Sequence, residues 1–253
     1  MFLLIFIFGL VAGFVDAIAG GGGAIMLPGL LLTGTPAVTA IATNKFCGTA
    51  GALTSLSKYA HHGQVCWSSG LILGFFAVIG SFLGSQSIGR LPSRWAEPTV
   101  LVLLIGILLF ILLRPSFGTE EAKQFRKHRW KTPARYILFC GLGFVIGFHD
   151  GFFGPGTGTF LIFVLLALSS VNFLQATGTA KVVNFLTNVT ALISFIVADL
   201  VDYEKGLAGA AGVAIGAYLG SHTAVKKGSR FVRPIFIAVS LLVFVKVVFL
   251  FFD

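Results

Sequence analysis

Gly13-Phe14-Val15-Asp16-Ala17-Ile18-Ala19-Gly20-Gly21-Gly22-Gly23 returns later in the chain as Gly147-Phe148-His149-Asp150-Gly151-Phe152-Phe153-Gly154-Pro155-Gly156-Thr157-Gly158. The offset is 134 residues from Asp16 to Asp150, becomes 136 from Lys45 to Lys181, and stays there. Ile79-Gly80-Ser81-Phe82-Leu83-Gly84-Ser85 thus matches Ile215-Gly216-Ala217-Tyr218-Leu219-Gly220-Ser221, and Arg94 and Pro98 match Arg230 and Pro234. Solenoid repeats have periods of ~20–50 residues. A repeat this long in an apolar chain points instead to a transporter built from duplicated halves.

Composition assigns the chain to a bilayer. Hydrophobic residues make up 56% and charged residues 11%, with a mean hydropathy of +0.95, against ~45–50% and ~25% for a soluble domain. Cys47, Cys66 and Cys140 lack CxxC spacing, so they are expected to pack as small apolar residues, with neither a metal site nor a disulfide framework. Residues 2–15 resemble the apolar core of a signal peptide, and Ala17-Ile18-Ala19 resembles a cleavage site. The absence of a basic region before it and the internal recurrence of the segment favour a first membrane segment.

Each half divides into five apolar segments: 2–18, 24–32, 39–59, 65–88 and 98–113, then 134–153, 159–168, 174–197, 203–225 and 234–252. The halves span 1–113 and 134–253, joined by a basic linker at 114–133. The second segment of each half is too short to cross a hydrocarbon core, and a glycine run separates it from the first. Each first pair therefore reads as a broken or re-entrant helix, which survives at membrane depth only where protein or a watery cavity surrounds it.

Loop charges suggest that the halves are inverted. Arg114, Lys123, Arg126, Lys127, Arg129, Lys131 and Arg135 outweigh Glu120 and Glu121, which puts the linker in the cytoplasm. Lys226, Lys227, Arg230 and Arg233 belong on the same side, while Asp199, Asp202, Glu204 and Lys205 form an acidic loop that belongs outside. The first-half counterparts are only Arg90 and Arg94 with Glu97 for the former and the basic Lys58, His61 and His62 for the latter, so the charge bias between the two loops reverses. Both termini then lie outside. The net charge of +9 is largely this anchoring, and no nucleic-acid partner is expected. The expected fold is an all-α integral membrane protein of two inverted five-segment repeats.

Asp16, Lys45, Asp150, Lys181 and Lys246 remain at membrane depth. A charge at the bilayer centre costs at least ~2.5–3.5 kcal/mol, which makes such residues functional candidates. The first four occupy repeat-equivalent positions; Lys246, near the outer end of the last segment, is expected to snorkel. Helices that begin after Gly20, Gly21, Gly22 and Gly23, and after Gly154, Gly156, Thr157 and Gly158, offer free N–H groups and a positive dipole end to an anion. Lys45 and Lys181 would add full charges, and Thr43, Asn44 and Thr179 neutral donors. Thr177, Lys181, Asn184 and Asn188 follow helical spacing on one face, against a less polar first-half stripe of Ile41, Lys45, Gly48 and Ala52. The second half should therefore supply more of the ligand's hydrogen bonds.

Asp16 and Asp150 read either as structural partners of the broken backbone and the lysines, or as groups that couple or tune the site, with His149 as a relay candidate. The Gly80/Gly84 and Gly212/Gly216/Gly220 spacings read as close helix packing, and His61-His62 as solvated. No nucleophile–base motif, zinc signature or P-loop appears, so neither an enzyme nor a cofactor is expected.

At Gly13 to Gly23 with Pro28, Ala42-Thr43-Asn44-Lys45, Gly147 to Gly158, and Ala176-Thr177-Gly178-Thr179-Ala180-Lys181, the chain resembles the sulfite exporter TauE/SafE family. The resemblance covers about Gly9 to Leu250. It implies a multi-pass transporter of the bacterial inner membrane for organosulfur or other small anions, such as sulfite or sulfonates. The duplicated halves add the expectation of alternating access, and the lack of an ATP-binding motif that of an ion gradient or the anion's own as driving force. His149 stands where an aromatic is common in relatives. The alternatives are a channel or cation-coupled carrier that uses Asp16 and Asp150, and an intramembrane enzyme; a homo-oligomer is left open.

Overall fold

The computed structural model describes residues 1–90, 133–169 and 171–228. The fifth apolar segment of each half, Lys246 and nearly all of the basic linker lie outside them. The described residues form eight helices and no strand: α1 (Phe2–Ala19), α2 (Gly23–Leu32), α3 (Ala37–His61), α4 (Trp67–Gly89), α5 (Pro133–Phe152), α6 (Thr157–Leu168), α7 (Phe173–Val197) and α8 (Tyr203–Lys227). Of these, α1, α4 and α7 are long and apolar enough to cross a membrane.

The helix breaks fall at the glycine runs. The chain leaves α1 through Gly20 at φ 77° and leaves α5 through Gly154 at φ 99°, left-handed conformations that cost a residue with a Cβ energy and glycine none. The helices that follow have 10 and 12 residues. At ~1.5 Å per residue they reach only ~15–18 Å, about half of a ~30 Å hydrocarbon core. α2 folds back along α1, since Gly22 packs on Ala12 and Asp16, and Gly29 on Phe8. The two breaks meet: Gly20 lies against Gly158, and the Thr159 hydroxyl donates to the Ala19 carbonyl at 3.2 Å.

Contacts between the halves come in matched pairs. α1 packs on α8, and α5 on α4; α3 packs on α8, and α7 on α4; α3 and α7 pack on each other. Glycines make the first two seams. Gly212, Gly216 and Gly220 sit against the carbonyls of Phe6, Leu10 and Phe14, and Gly9 and Gly13 against those of Gly209 and Val213. In the other seam Gly80 and Gly84 meet the Phe144 and Phe148 carbonyls, while Gly143, Gly147 and Gly151 meet those of Leu73, Ala77 and Ser81. A side chain at any of these would collide with backbone. Lipid offers no hydrophobic drive between helices, so association rests on such close packing.

The same contacts give helix directions. Residue numbers rise together along α1 and α8, along α3 and α8 (Phe46 with Gly206, Gly51 with Val213), along α4 and α5, and along α4 and α7 (Gly70 with Val182, Gly74 with Leu186). They run oppositely along α3 and α7, where Tyr59 meets Gly178 and Gly48 meets Asn188. Hence α1, α3 and α8 point one way and α4, α5 and α7 the other. Their outer faces carry large apolar side chains such as Leu3, Ile7, Phe75, Phe82 and Val145, all exposed. Small residues inside and large apolar ones outside reverse the arrangement of a soluble protein.

Candidate functional site

A small cavity of about 50 Å³ lies where the two breaks meet, walled by both glycine runs and by α3 and α7. Of the residues singled out from sequence, Asp16, Gly20, Gly22, Gly23, Asn44, Lys45, Asp150, Gly154, Gly156, Thr157, Gly158, Asn184 and Asn188 line it. Gly21, Thr43, His149, Thr179 and Lys181 do not. Gly48 of the first-half stripe lines it too, and Ala12, Met26 and Val213 complete the wall as apolar residues that carry no polar signal in the sequence.

The acidic residues pair with lysines across the halves. Lys45 Nζ lies 2.9 Å from Asp150 Oδ1, with both side chains buried. Lys181 Nζ donates to Asp16 Oδ2 at 2.6 Å and also to the Asp16 backbone carbonyl. Each lysine sits on its half's third helix and each carboxylate near the end of the other half's first, so the pairs tie α3 to α5 and α7 to α1. Gly154 makes room for the Lys45 ammonium, since a Cβ there would stand 2.9 Å from Nζ.

The pairs differ in how well they are satisfied. Asp16 Oδ1 accepts from the Gly22 N–H at 3.2 Å, so both of its oxygens have donors. Asp150 Oδ2 is buried with no partner, as are Asn184 Oδ1 and His149 Nε2. Buried acceptors without donors are uncommon and point to a function or a ligand.

Threonines expected as ligand donors hold helix starts instead. Thr43 Oγ1 accepts from the Asp202 N–H at 3.0 Å, and Thr179 Oγ1 from the Cys66 N–H at 2.9 Å. Asp202 and Cys66 are the N-caps of α8 and α4, so the two bonds are repeat-equivalent. Sequence position alone could not show that these hydroxyls face a neighbouring helix. Tyr59 was missed too: it is fully buried and donates to the Ala17 carbonyl at 2.7 Å, which anchors the end of α1. Its counterpart is Phe195, which lacks the hydroxyl.

His149 stands beside Asp150 in sequence, but neighbours on a helix point ~100° apart, and only Asp150 reaches the cavity. The Thr157 hydroxyl donates to the Gly154 carbonyl at 2.7 Å. The 3.3 Å contact between His149 Nδ1 and Thr157 Oγ1 therefore needs the imidazole to donate, which leaves Nε2 bare between Phe153 and Phe160.

Backbone donors also reach the cavity. The first N–H groups of a helix lack intrahelical acceptors. Gly21 and Gly22 carbonyls take those of Ala24 and Ile25, and the Gly154 carbonyl takes that of Thr157. Gly23 and Gly158, both on the cavity wall, are left with no backbone acceptor. Among the described residues no cluster of histidine, cysteine or acidic groups suits a metal. Cys47, Cys66 and Cys140 are all free thiols, and His61 and His62 are exposed.

The model of one protein family, Sulfite exporter TauE/SafE, matches residues 5–247. The chain belongs to the sulfite exporter TauE/SafE family. Among its TauE/SafE relatives, "Probable membrane transporter protein ORF9" of Sinorhizobium sp is 33% identical over 94% of this chain and 88% of its own. A "Probable membrane transporter protein" of Haemophilus influenzae is 33% identical over 97% of this chain and 94% of its own. "Probable membrane transporter protein YfcA" of Escherichia coli is 29% identical over 97% and 89%. No solved structure matches. Membership of TauE/SafE and the apolar spanning helices together make this a membrane protein.

Proposed function

We propose that the protein is a secondary transporter that moves a small anion, sulfite or a small sulfonate, across the bacterial inner membrane by alternating access. The observation that carries this reading is the cavity between the glycine breaks, where the Lys45 ammonium, the amides of Asn44, Asn184 and Asn188, and the helix starts at Gly23 and Gly158 converge. Helix N-termini and a buried cation are both suited to an anion. The name of the family, sulfite exporter, suggests a sulfur oxyanion as the cargo class.

An inverted repeat is supported by helix direction: α1, α3 and α4 of the first half run opposite to their equivalents α5, α7 and α8. Two halves so related offer the central cavity equivalent routes to either face, which is what alternating access requires. Among the cationic groups of the described residues, Lys45 is the proposed ligand and Lys181 a strut, because of these only Lys45 reaches the cavity. Thr43 and Thr179 leave the proposed ligand set, and Thr157, Asn184 and Asn188 stay in it.

The test is counterflow of radiolabelled sulfite and methanesulfonate in proteoliposomes preloaded with unlabelled anion. Saturable exchange that disappears in Lys45→Gln is expected. Exchange that survives in Lys45→Gln would remove Lys45 from the site, and the absence of any sulfur anion flux through well-folded protein would overturn the cargo.

A further inference from the structure

The four charged groups at the meeting of the breaks sum to zero, so an anion that enters the cavity must compete with a carboxylate for an ammonium. Lys181 is closed to that competition, since it lies off the cavity wall and is held by both the side chain and the carbonyl of Asp16. Lys45 is open to it: it lines the cavity and has one carboxylate oxygen as partner, Asp150 Oδ1.

An anion that takes Lys45 leaves Asp150 stranded. Its side chain is 3% exposed, its second oxygen already has no donor, and an ionised carboxylate deprived of its cation in such a place is strongly disfavoured. Few groups could replace Lys45. α4 and α6, which pack on α5, bring no ionisable side chain. Among the described residues, the charged or titratable groups that face this region are Lys45 from α3, Asp16 from α1, Lys181 from α7 and His149 from α5 itself, with the Tyr59 hydroxyl of α3 nearby and held by the Ala17 carbonyl. Asp16 and Lys181 are engaged with each other, and His149 turns toward Thr157 and two phenylalanines. A proton is the remaining remedy. It would also turn Asp150 from acceptor to donor in a cavity whose wall holds another buried acceptor without a donor, Asn184 Oδ1.

We infer that Asp150 is the proton carrier of the transport cycle, which makes the protein an anion–proton symporter. The incoming anion takes the Lys45 ammonium, the freed Asp150 carboxylate binds one proton from the water on the same side, and both leave together on the other side. The exchange balances: a lysine–carboxylate pair, a monovalent anion and a proton become a lysine–anion pair and a neutral carboxylic acid. Asp16, with donors on both oxygens, keeps its charge throughout. This inference rests on the anion-transport reading, and its test separates the two.

The first measurement needs no cargo. Infrared spectra of purified Lys45→Gln at neutral pH should show a protonated carboxyl C=O band that wild type lacks and that vanishes in Lys45→Gln/Asp150→Asn. A monodisperse size-exclusion peak serves as the folding check. The second uses methanesulfonate, whose single charge does not titrate, so any proton that moves with it must ride on the protein. Wild-type proteoliposomes should accumulate it about tenfold for each pH unit by which the outside is more acidic than the lumen, because one proton carried per anion transmits the whole ratio. Asp150→Asn should let the label equilibrate without accumulating, and Asp150→Glu should restore accumulation.

Absence of the band in Lys45→Gln, or gradient-driven accumulation by Asp150→Asn, would overturn the proton assignment. So would wild-type flux indifferent to the gradient. The band without flux of either sulfite or methanesulfonate would support the proton site and overturn the cargo reading alone.

Discussion

The two lysine–aspartate pairs occupy equivalent places in a duplicated chain, yet one is finished and the other is not. Asp16 has the Gly22 N–H and Lys181 on its two oxygens, whereas Asp150 has only Lys45 on one. Duplication supplies two copies of a lysine–aspartate pair, and the copies can then diverge: one, with its aspartate half-buried, fixes the break in α1, and the other, buried throughout, stays able to exchange its partner. A cavity bounded by two equally saturated pairs would have no group to release.

The largest effect that would test this contrast is on stability. Asp16→Ala strands the Lys181 ammonium and frees the Gly22 N–H, and breaking a buried pair from one side costs about 3–5 kcal/mol. Thermal unfolding in detergent should show a lower midpoint or loss of folded protein, and an unchanged midpoint would abolish the distinction. Lys181→Gln should come next, destabilised through the same strut but still able to exchange anions in whatever fraction folds. Lys45→Gln should unfold closer to wild type, since its carboxylate partner can be neutralised by a proton; its loss should appear in anion exchange. The smallest effect should be symmetric. Thr43→Val and Thr179→Val each remove one acceptor from a helix start, at about 1 kcal/mol apiece, and should lower the midpoint equally. Unequal losses would extend the divergence beyond the ion pairs.

Much of this arrangement was legible in the chain. The repeat aligned Asp16 with Asp150 and Lys45 with Lys181, the glycine runs marked where α1 and α5 end, and the Gly80/Gly84 and Gly212/Gly216/Gly220 spacings announced the seams. What the sequence withheld was partnership. A repeat equates positions but does not reveal that Lys45 reaches the other half's aspartate, because that depends on how the third helices cross. Thr43 and Thr179 were misassigned for the same reason: two residues from each lysine on a helix is a different face, turned to the starts of α8 and α4. The unsatisfied oxygen of Asp150 is a property of geometry alone, since the aligned carboxylates look alike in sequence.

The glycine seams also bear on how the protein is made. Gly9 of α1 finds its neighbour Gly209 only after the ribosome has added most of the remaining chain. At about 5–20 residues per second, α1 waits roughly 10–40 s in or near the insertion machinery with its small-residue face unpaired. Its sister seam between α4 and α5 must bridge only the fifth apolar segment and the linker. Biogenesis is therefore lopsided in time although the two glycine seams are alike in the folded chain: the helix made first is seated on its partner only near the end of synthesis.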